Sequence, residues 1–406
     1  MRLRLSLRIR LDRGRVYHFC SLLVIRTCAS NYKNLLAAKE KKNLGRFWVI
    51  DGEEIVMKTL ETKRLIIREY HKSDLPEYHE LLSNKQNMYF LDEITTNSLD
   101  ESRESLQNAI EVNYSNRARR FCITLKERDS EKVIGGVGYE IATTTPLGKI
   151  ADPMGWFIMP EFQNNGYVTE AARCVLEFAF SQDGCIRVVT GCYADNLPTQ
   201  KVMDKVGFRK EGERFEAQFH DGKMKDRLEY AINKGEWETK KEIAYYKTLP
   251  FVFDDFIDLP ELSDGVIHLV CTSKNPAIPE KKYVPVYDFA ICKGSEKIGK
   301  INLRIGYGGF GPDESSLYYG GQIGYDIDKQ HRGNGYAVRA CRLLLPVAKA
   351  HGMVKLLITN NITNTASRRV CEKLGSRFVR TARLPEWTDL YKEGQRFSNI
   401  FEWSVE

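Results

Sequence analysis

Several classes are excluded by what the chain lacks. Its ten cysteines form no CxxC pair and keep no ligand-like spacing, so no metal site is expected. Cys122, Cys174, Cys185 and Cys192 lie in or beside apolar runs. They read as buried free thiols, which suits a reducing cytoplasm. No apolar run reaches the ~18–20 residues that cross a bilayer, so no membrane partner is expected. A GxxxxGK[ST] phosphate loop is absent. Gly306-x-Gly308-x-x-Gly311 fits the dinucleotide pattern, but Pro312 follows it and no helix opens there.

Charge of one sign is also missing from most of the chain. The net charge is +7. Residues 1–56 hold 12 Lys/Arg and five Asp/Glu, which accounts for all of it. The rest carries 49 residues of each sign, so no long-range field favours a nucleic-acid partner. The basic segment 1–56 has three readings: an organellar targeting arm, an arm for polyanions, or upstream sequence read through. Gly52, Glu53 and Glu54 correspond to purine-rich codons, as in a translated ribosome-binding site, and domain-like sequence begins at Met57 with MKTLETKRLIIREY. The third reading is therefore preferred, with 1–56 not packed on the rest.

What is present is a repeat. HRGNGYA at 331–337 echoes FQNNGYV at 162–168. Gly155 and Gly324 keep the same spacing as Gly166 and Gly335, 169 residues. Asn196 and Asn364 are 168 apart, as are Gly207 and Gly375. Upstream, SEKVIGG (130–136) echoes SEKIGK (295–300). Five collinear matches mean a tandem duplication: 57–238, a linker 239–248, and 249–406.

Each copy reads as α/β. In copy one, RLIIREY is a strand, residues 73–84 open like a helix, and 121–141 are two strands around a polar turn. A strand at 152–160 leads into the glycine loop. Ala172, Val175, Leu176 and Ala179 then fall on a helical stripe. IRVVTGCY (186–193) is a buried strand, 197–207 a helix stopped by Gly207, and 208–232 a hairpin turning at Asp221-Gly222. Copy two repeats the order, with a kink expected at Pro346. It lacks an equivalent of residues 73–120.

A strand, a glycine loop and a helix start make an anion site. The first helical N–H groups are unpaired, and the helix dipole adds partial positive charge. With these features in place, Arg332-Gly333-Asn334-Gly335-Tyr336-Ala337 resembles the acetyl-CoA loop of the GNAT superfamily of N-acetyltransferases, (Q/R)-x-x-G-x-(G/A). Copy one has Gln163-Asn164-Asn165-Gly166-Tyr167-Val168. LETKRLIIREY, QNNGYVTEA and ADNLPTQKVMDKVGF resemble the branch of ribosomal-protein alanine N-acetyltransferases.

The resemblance implies two GNAT domains, each a mixed, splayed central sheet flanked by helices. It implies acetyl-CoA as cosubstrate and transfer to a primary amine, on a small molecule or a protein N-terminus, by direct attack. The two loops would cradle the diphosphate, with Asn196 and Asn364 nearby. Backbone N–H groups on the preceding strands, at Ile158 and Ile327, would bind the thioester carbonyl. Many members carry a Tyr acid four residues before the glycine that ends the second helix; here Met203 and Cys371 stand there. Thr199 and Ser367, in N-x-x-[ST], are the substitute acids, or else helix caps. Asp152, Asp326 and Glu140 are the base candidates. The rival reading is a coenzyme A sensor or scaffold without turnover in one or both copies.

Overall fold

The computed structural model describes residues 59–405, except 116, 127–131, 279, 281–282 and 312–313, together with the backbone of 47–50 and 53–56. The reading of 1–56 falls outside the described residues, apart from β1 (Phe47–Ile50) and β2 (Glu53–Val56). These pair antiparallel within a separate unit, Met1–Lys58.

The second unit begins at Thr59. Copy one runs β3 (Thr59–Glu61), β4 (Leu65–Glu69), α1 (Leu75–Ser83), α2 (Leu99–Val112), β5 (Ala118–Leu125), β6 (Val133–Thr145), β7 (Gly148–Ile158), α3 (Tyr167–Ser181), β8 (Cys185–Tyr193), α4 (Leu197–Val206), β9 (Arg209–His220) and β10 (Lys223–Asn233). Its eight strands form one sheet in the order β3-β4-β5-β6-β7-β8-β10-β9. The sheet is mixed because β7 and β8 alone run parallel. The alternation of the strands gives it two buried faces. Phe121 and Ile123 point to the core under α3, whose Ala172, Val175, Leu176 and Ala179 are fully buried. Cys122, between them, points to the core under α1 and α2.

A helix not expected from the sequence follows: α5 (Lys234–Lys247), which takes up most of the segment read as a linker. Copy two continues with β11 (His268–Asn275), β12 (Val286–Lys293), β13 (Glu296–Arg304), α6 (Ser316–Gly320), β14 (Ile323–Ile327), α7 (Tyr336–Leu343), α8 (Leu345–Ala350), β15 (Lys355–Asn361), α9 (Thr365–Leu374), β16 (Arg377–Arg383), α10 (Asp389–Lys392) and β17 (Phe397–Ser404). The helix carrying Pro346 breaks at Leu344, because proline offers no N–H to the preceding turn. Copy two has two antiparallel sheets, β11-β12-β13-β14 and β15-β17-β16. Among the described residues between β11 and β12 there is no pair of helices like α1 and α2.

Helix α5 is shared between the copies. Trp237 joins the core of copy one and donates its indole N–H to Glu177 (2.8 Å). Ile243 and Tyr246 join the core of copy two, and the Tyr246 hydroxyl donates to Glu402 (2.8 Å). Arg380 of β16 binds Glu242 (2.7 Å) and Glu238 (3.0 Å) on the same helix.

Candidate active site in each copy

The geometry begins at a fork. β7 and β8 pair only over Lys149–Ala151 and Cys185–Val188. Both strands run on, to Ile158 and Tyr193, without pairing, so a gap opens between them. In copy two the corresponding β14 and β15 share no ladder. Gln322 ties the base of that gap instead: its N–H donates to Leu357 O (2.8 Å), and Leu357 N–H donates to its side-chain oxygen (2.6 Å).

Strand alternation fixes what faces the gap. Met159 N–H donates to Ile134 O (2.8 Å), toward β6, so Ile158 N–H points the other way, into the gap. In copy two Asp328 N–H donates to Ile298 O (3.0 Å), which leaves Ile327 N–H facing its gap. Glycines hold the outer strand close behind each amide. A Cβ on Gly135 would lie 2.5 Å from Phe157 O, and one on Gly299 would lie 2.4 Å from Asp326 O.

Each fork ends in the same loop. Asn164 (φ 61°) and Gly166 (φ 76°) are left-handed, as are Gly333 (φ 87°) and Gly335 (φ 77°). Asn165 Nδ2 donates to Phe162 O and Gln163 O (3.3 and 2.9 Å). Asn334 Nδ2 donates to His331 O and Arg332 O (3.1 and 3.4 Å), the same clamp. Gly166 and Gly335 cap α3 and α7, so Tyr167, Val168, Tyr336 and Ala337 form first turns whose amides face outward. A Cβ on Gly335 would meet no protein atom within 4 Å, so a ligand has room there. A cation sits over the first-turn tyrosine in both copies: Arg64 over Tyr167 (4.6 Å) and Lys293 over Tyr336 (5.9 Å).

The charges beside the two loops are exchanged. On α3, Glu170 binds Arg64 (2.7 Å) and accepts from Thr62 (2.6 Å). Burial pushes its carboxyl up, but these hydrogen bonds outweigh that and hold it below the usual range. At the same point of α7 stands Arg339, bound to Asp264 (2.7 Å). An open groove of about 490 Å³ flanks the α3 start, lined by Arg64, Gly166, Thr169, Arg173, Cys174 and Lys205.

The other sequence candidates divide. Asn196 and Asn364 are helix N-caps, their Oδ1 accepting from Thr199 N (3.2 Å) and Ser367 N (3.0 Å). The caps are thus the asparagines, and the hydroxyls of Thr199 and Ser367 sit in the third helical position. Ser367 Oγ meets the Tyr325 hydroxyl (2.9 Å), which reaches across from β14; burial pushes that phenol well up. Asp152 lies where the β7–β8 pairing ends. Burial raises its carboxyl, Glu229 adds to this, and Arg227, Arg187 and Arg214 oppose it. Asp326 is ion-paired with Arg332 (3.2 Å) beside the loop, and Glu140 with Arg120. Arg332 Nε also donates to Ile327 O (2.7 Å). Among the described residues no cluster of His, Cys, Asp or Glu suits a metal. The eight described cysteines are free. Burial raises Cys122 and Cys371 to about 12 and Cys185 and Cys192 to about 11, so none of these four is a thiolate nucleophile at neutral pH.

The sequence placed a wall at residues 85–120 but carried no motif that gives its contacts. Segment 84–95 bridges the fork: Asn87 accepts from Gln163 after β7 (3.3 Å), and Tyr89 donates to Asp221 in the hairpin beyond β8 (2.9 Å).

With this geometry established, comparison with known proteins decides the family. The acetyltransferase (GNAT) domain family matches residues 64–209 and again 270–377. The chain belongs to the GNAT acetyltransferases. Two GNAT relatives from Bacillus subtilis, uncharacterized N-acetyltransferases named YnaD and YoaA, are 30% and 29% identical over 178 and 181 residues. These alignments span 44% and 43% of this chain but 98% and 96% of the relatives, so each relative is one copy long. A solved acetyltransferase of the GNAT family from Bacillus anthracis is 23% identical, with a TM-score of 0.38, covering 43% of this chain and 98% of that one. GNAT acetyltransferases use acetyl-CoA. The two loops share left-handed turns and outward amides, but only Gly335 has open space beside it, since a Cβ on Gly166 would lie 3.6 Å from the Arg64 guanidinium. No helix among the described residues is long and apolar enough to cross a membrane.

Proposed function

We propose that copy one transfers acetyl from acetyl-CoA to a primary amine by direct attack. The observation that carries this is the unpaired edge of β7, with Ile158 N–H facing the gap directly before the left-handed loop. The thioester supplies an acyl group on a good leaving thiolate. Ile158 N–H polarises the acyl oxygen as it gains charge. Asp152 stands six residues back along β7 from Ile158, so it receives the amine's proton through a chain of waters along the fork; its raised carboxyl suits it as the final acceptor. The amine nitrogen then bonds the carbonyl carbon, the C–S bond breaks with its electrons on sulfur, the Thr199 hydroxyl hands a proton to the thiolate, and the proton that the new amide nitrogen sheds restores that hydroxyl. The acceptor is a small-molecule amine or a protein N-terminus, and the reaction belongs in the cytoplasm.

Copy two supports a different role: holding coenzyme A without turnover. Tyr325 already occupies the Ser367 hydroxyl, Asp326 is bound to Arg332, and no counterpart of α1 and α2 is found among the described residues.

Calorimetry of the full chain with coenzyme A, then thiol release from acetyl-CoA with a panel of primary amines, tests both readings. Heat of binding and amine-dependent release are expected. No heat at millimolar coenzyme A ends the transferase reading.

A further inference from the structure

Copy one contains an aromatic cluster that the loop and the fork do not use. His220 closes β9 and is 3% exposed, and neither ring nitrogen has a hydrogen-bond partner. The Asp92 carboxylate stands 3.4 Å from its Nδ1, close enough to pair with a charged ring but not aligned for a hydrogen bond. Tyr193, at the open end of β8, is also 3% exposed, and its hydroxyl has no partner. The ring of His220 packs on Tyr193 and Tyr89, both at 4.7 Å, and stacks on Phe90 at 6.3 Å. Cys192 points to the core under α3, so Tyr193 points to the opposite face of the sheet.

An ammonium already lies in this cluster. Lys225 Nζ is 5.0 Å from the Tyr89 ring, 5.6 Å from Phe90 and 5.7 Å from Tyr193. It donates to Asp195 (2.7 Å) and to the Tyr89 hydroxyl (3.2 Å). Four carboxylates lie by the group, Asp92, Glu93, Asp195 and Asp221, against the cations Lys225 and Arg227. Aromatic faces ringed by carboxylates bind cations and reject anions. Two buried polar side chains left unpaired beside a bound ammonium are hydrogen-bonding positions awaiting a ligand.

We propose that this cluster is the acceptor subsite of copy one, that it takes a primary ammonium on an apolar stem, and that Lys225 fills it until the acceptor displaces it. The stem lies among Tyr89, Phe90 and Tyr193. His220 and the Tyr193 hydroxyl receive N–H groups from the ammonium, and Asp195 keeps its place as counter-charge. This deepens the transferase reading, since the acceptor would enter opposite α3. Among the described residues copy two has no counterpart of segment 84–95, and so no comparable cluster.

The test uses the full chain and n-butylammonium as probe. Histidine ring signals are followed by NMR, with His220 assigned through His220→Gln. The probe is expected to move the His220 signals, and n-butanol is expected not to. Lys225→Met vacates the cluster and should tighten the probe about tenfold. Lys223→Met removes the same charge from the hairpin strand outside the cluster and should change affinity less than twofold. Tyr89→Leu should weaken the probe about tenfold in the Lys225→Met background. His220 signals that stay fixed in both wild type and Lys225→Met overturn the proposal, and so does equal tightening by the two lysine variants. These readouts need no coenzyme A. A protein that binds the probe but shows no heat with coenzyme A therefore loses the transferase reading and keeps the ammonium site.

Discussion

At the scale of the residue, the deciding feature is backbone sign. Gly166 and Gly335 hold φ near +77°, where a Cβ costs ~1–2 kcal/mol. Gly166→Ala and Gly335→Ala should each weaken coenzyme A, since the strained turn re-aims the amides that bind it. The two differ in consequence. Gly166→Ala should abolish amine-dependent thiol release, whereas Gly335→Ala should lower only the amount of coenzyme A bound, as read by calorimetry. Loss of turnover from the Gly335 variant alone would reverse the assignment of the copies. These glycines were legible in the sequence because a short motif occurred twice in one order. The acceptor cluster was not. Tyr89, Phe90, Tyr193, His220 and Lys225 come from a loop, a strand end and a hairpin, and no spacing links them before folding. Exchange of Glu170–Arg64 for Arg339–Asp264 was equally silent, since an ion pair reads the same in either polarity only after both ends are seen together.

At the scale of the element, α5 shows why a helix can hide. Its apolar residues serve two cores: Trp237 faces copy one, and Ile243 and Tyr246 face copy two. No single stripe results, and the segment reads as a charged linker. Helix α2 was not read from the sequence, although Ser98 and Glu101 mark its start; Ser98 Oγ accepts from Glu101 N at 3.2 Å. The contact of α5 with copy two is pH-dependent. Burial pushes the Glu402 carboxyl up, but Lys355, Tyr246 and Arg377 donate to it and hold it below the usual carboxylate range. A depressed carboxyl stabilises the fold above its unfolded pKa, about 4.3, and that contribution fades as pH falls through the lower folded value. Acid unfolding of the wild type should therefore steepen below about pH 4. Glu402→Gln should be less stable at pH 7 and lose stability less steeply in acid. Parallel curves for the two proteins, from circular dichroism against pH, would remove Glu402 from the clasp.

At the scale of the whole molecule, the copies are joined by a helix that each needs. A boundary drawn at 248 gives copy two a clean start in sequence but strips two side chains from its core. Tyr246 is 2% exposed and Ile243 is 5% exposed, both packed within copy two. Losing two such side chains costs ~3–6 kcal/mol. A domain of this size shifts by ~2–4 °C per kcal/mol. The fragment 249–406 should then melt roughly 6–24 °C below the fragment 234–406, and it leaves Glu402 without its tyrosine donor. Copy one ended at 233 loses Trp237, and with it the hydrogen bond that satisfies Glu177 beside Lys241. The minimal second half therefore begins at Lys234, and the first half ends at 247, so the two fragments overlap by the whole of α5. A duplication whose halves share one helix cannot be cut into two complete proteins. Equal melting temperatures for 234–406 and 249–406 would show that copy two closes its core without α5, and the shared helix would then be a tether alone.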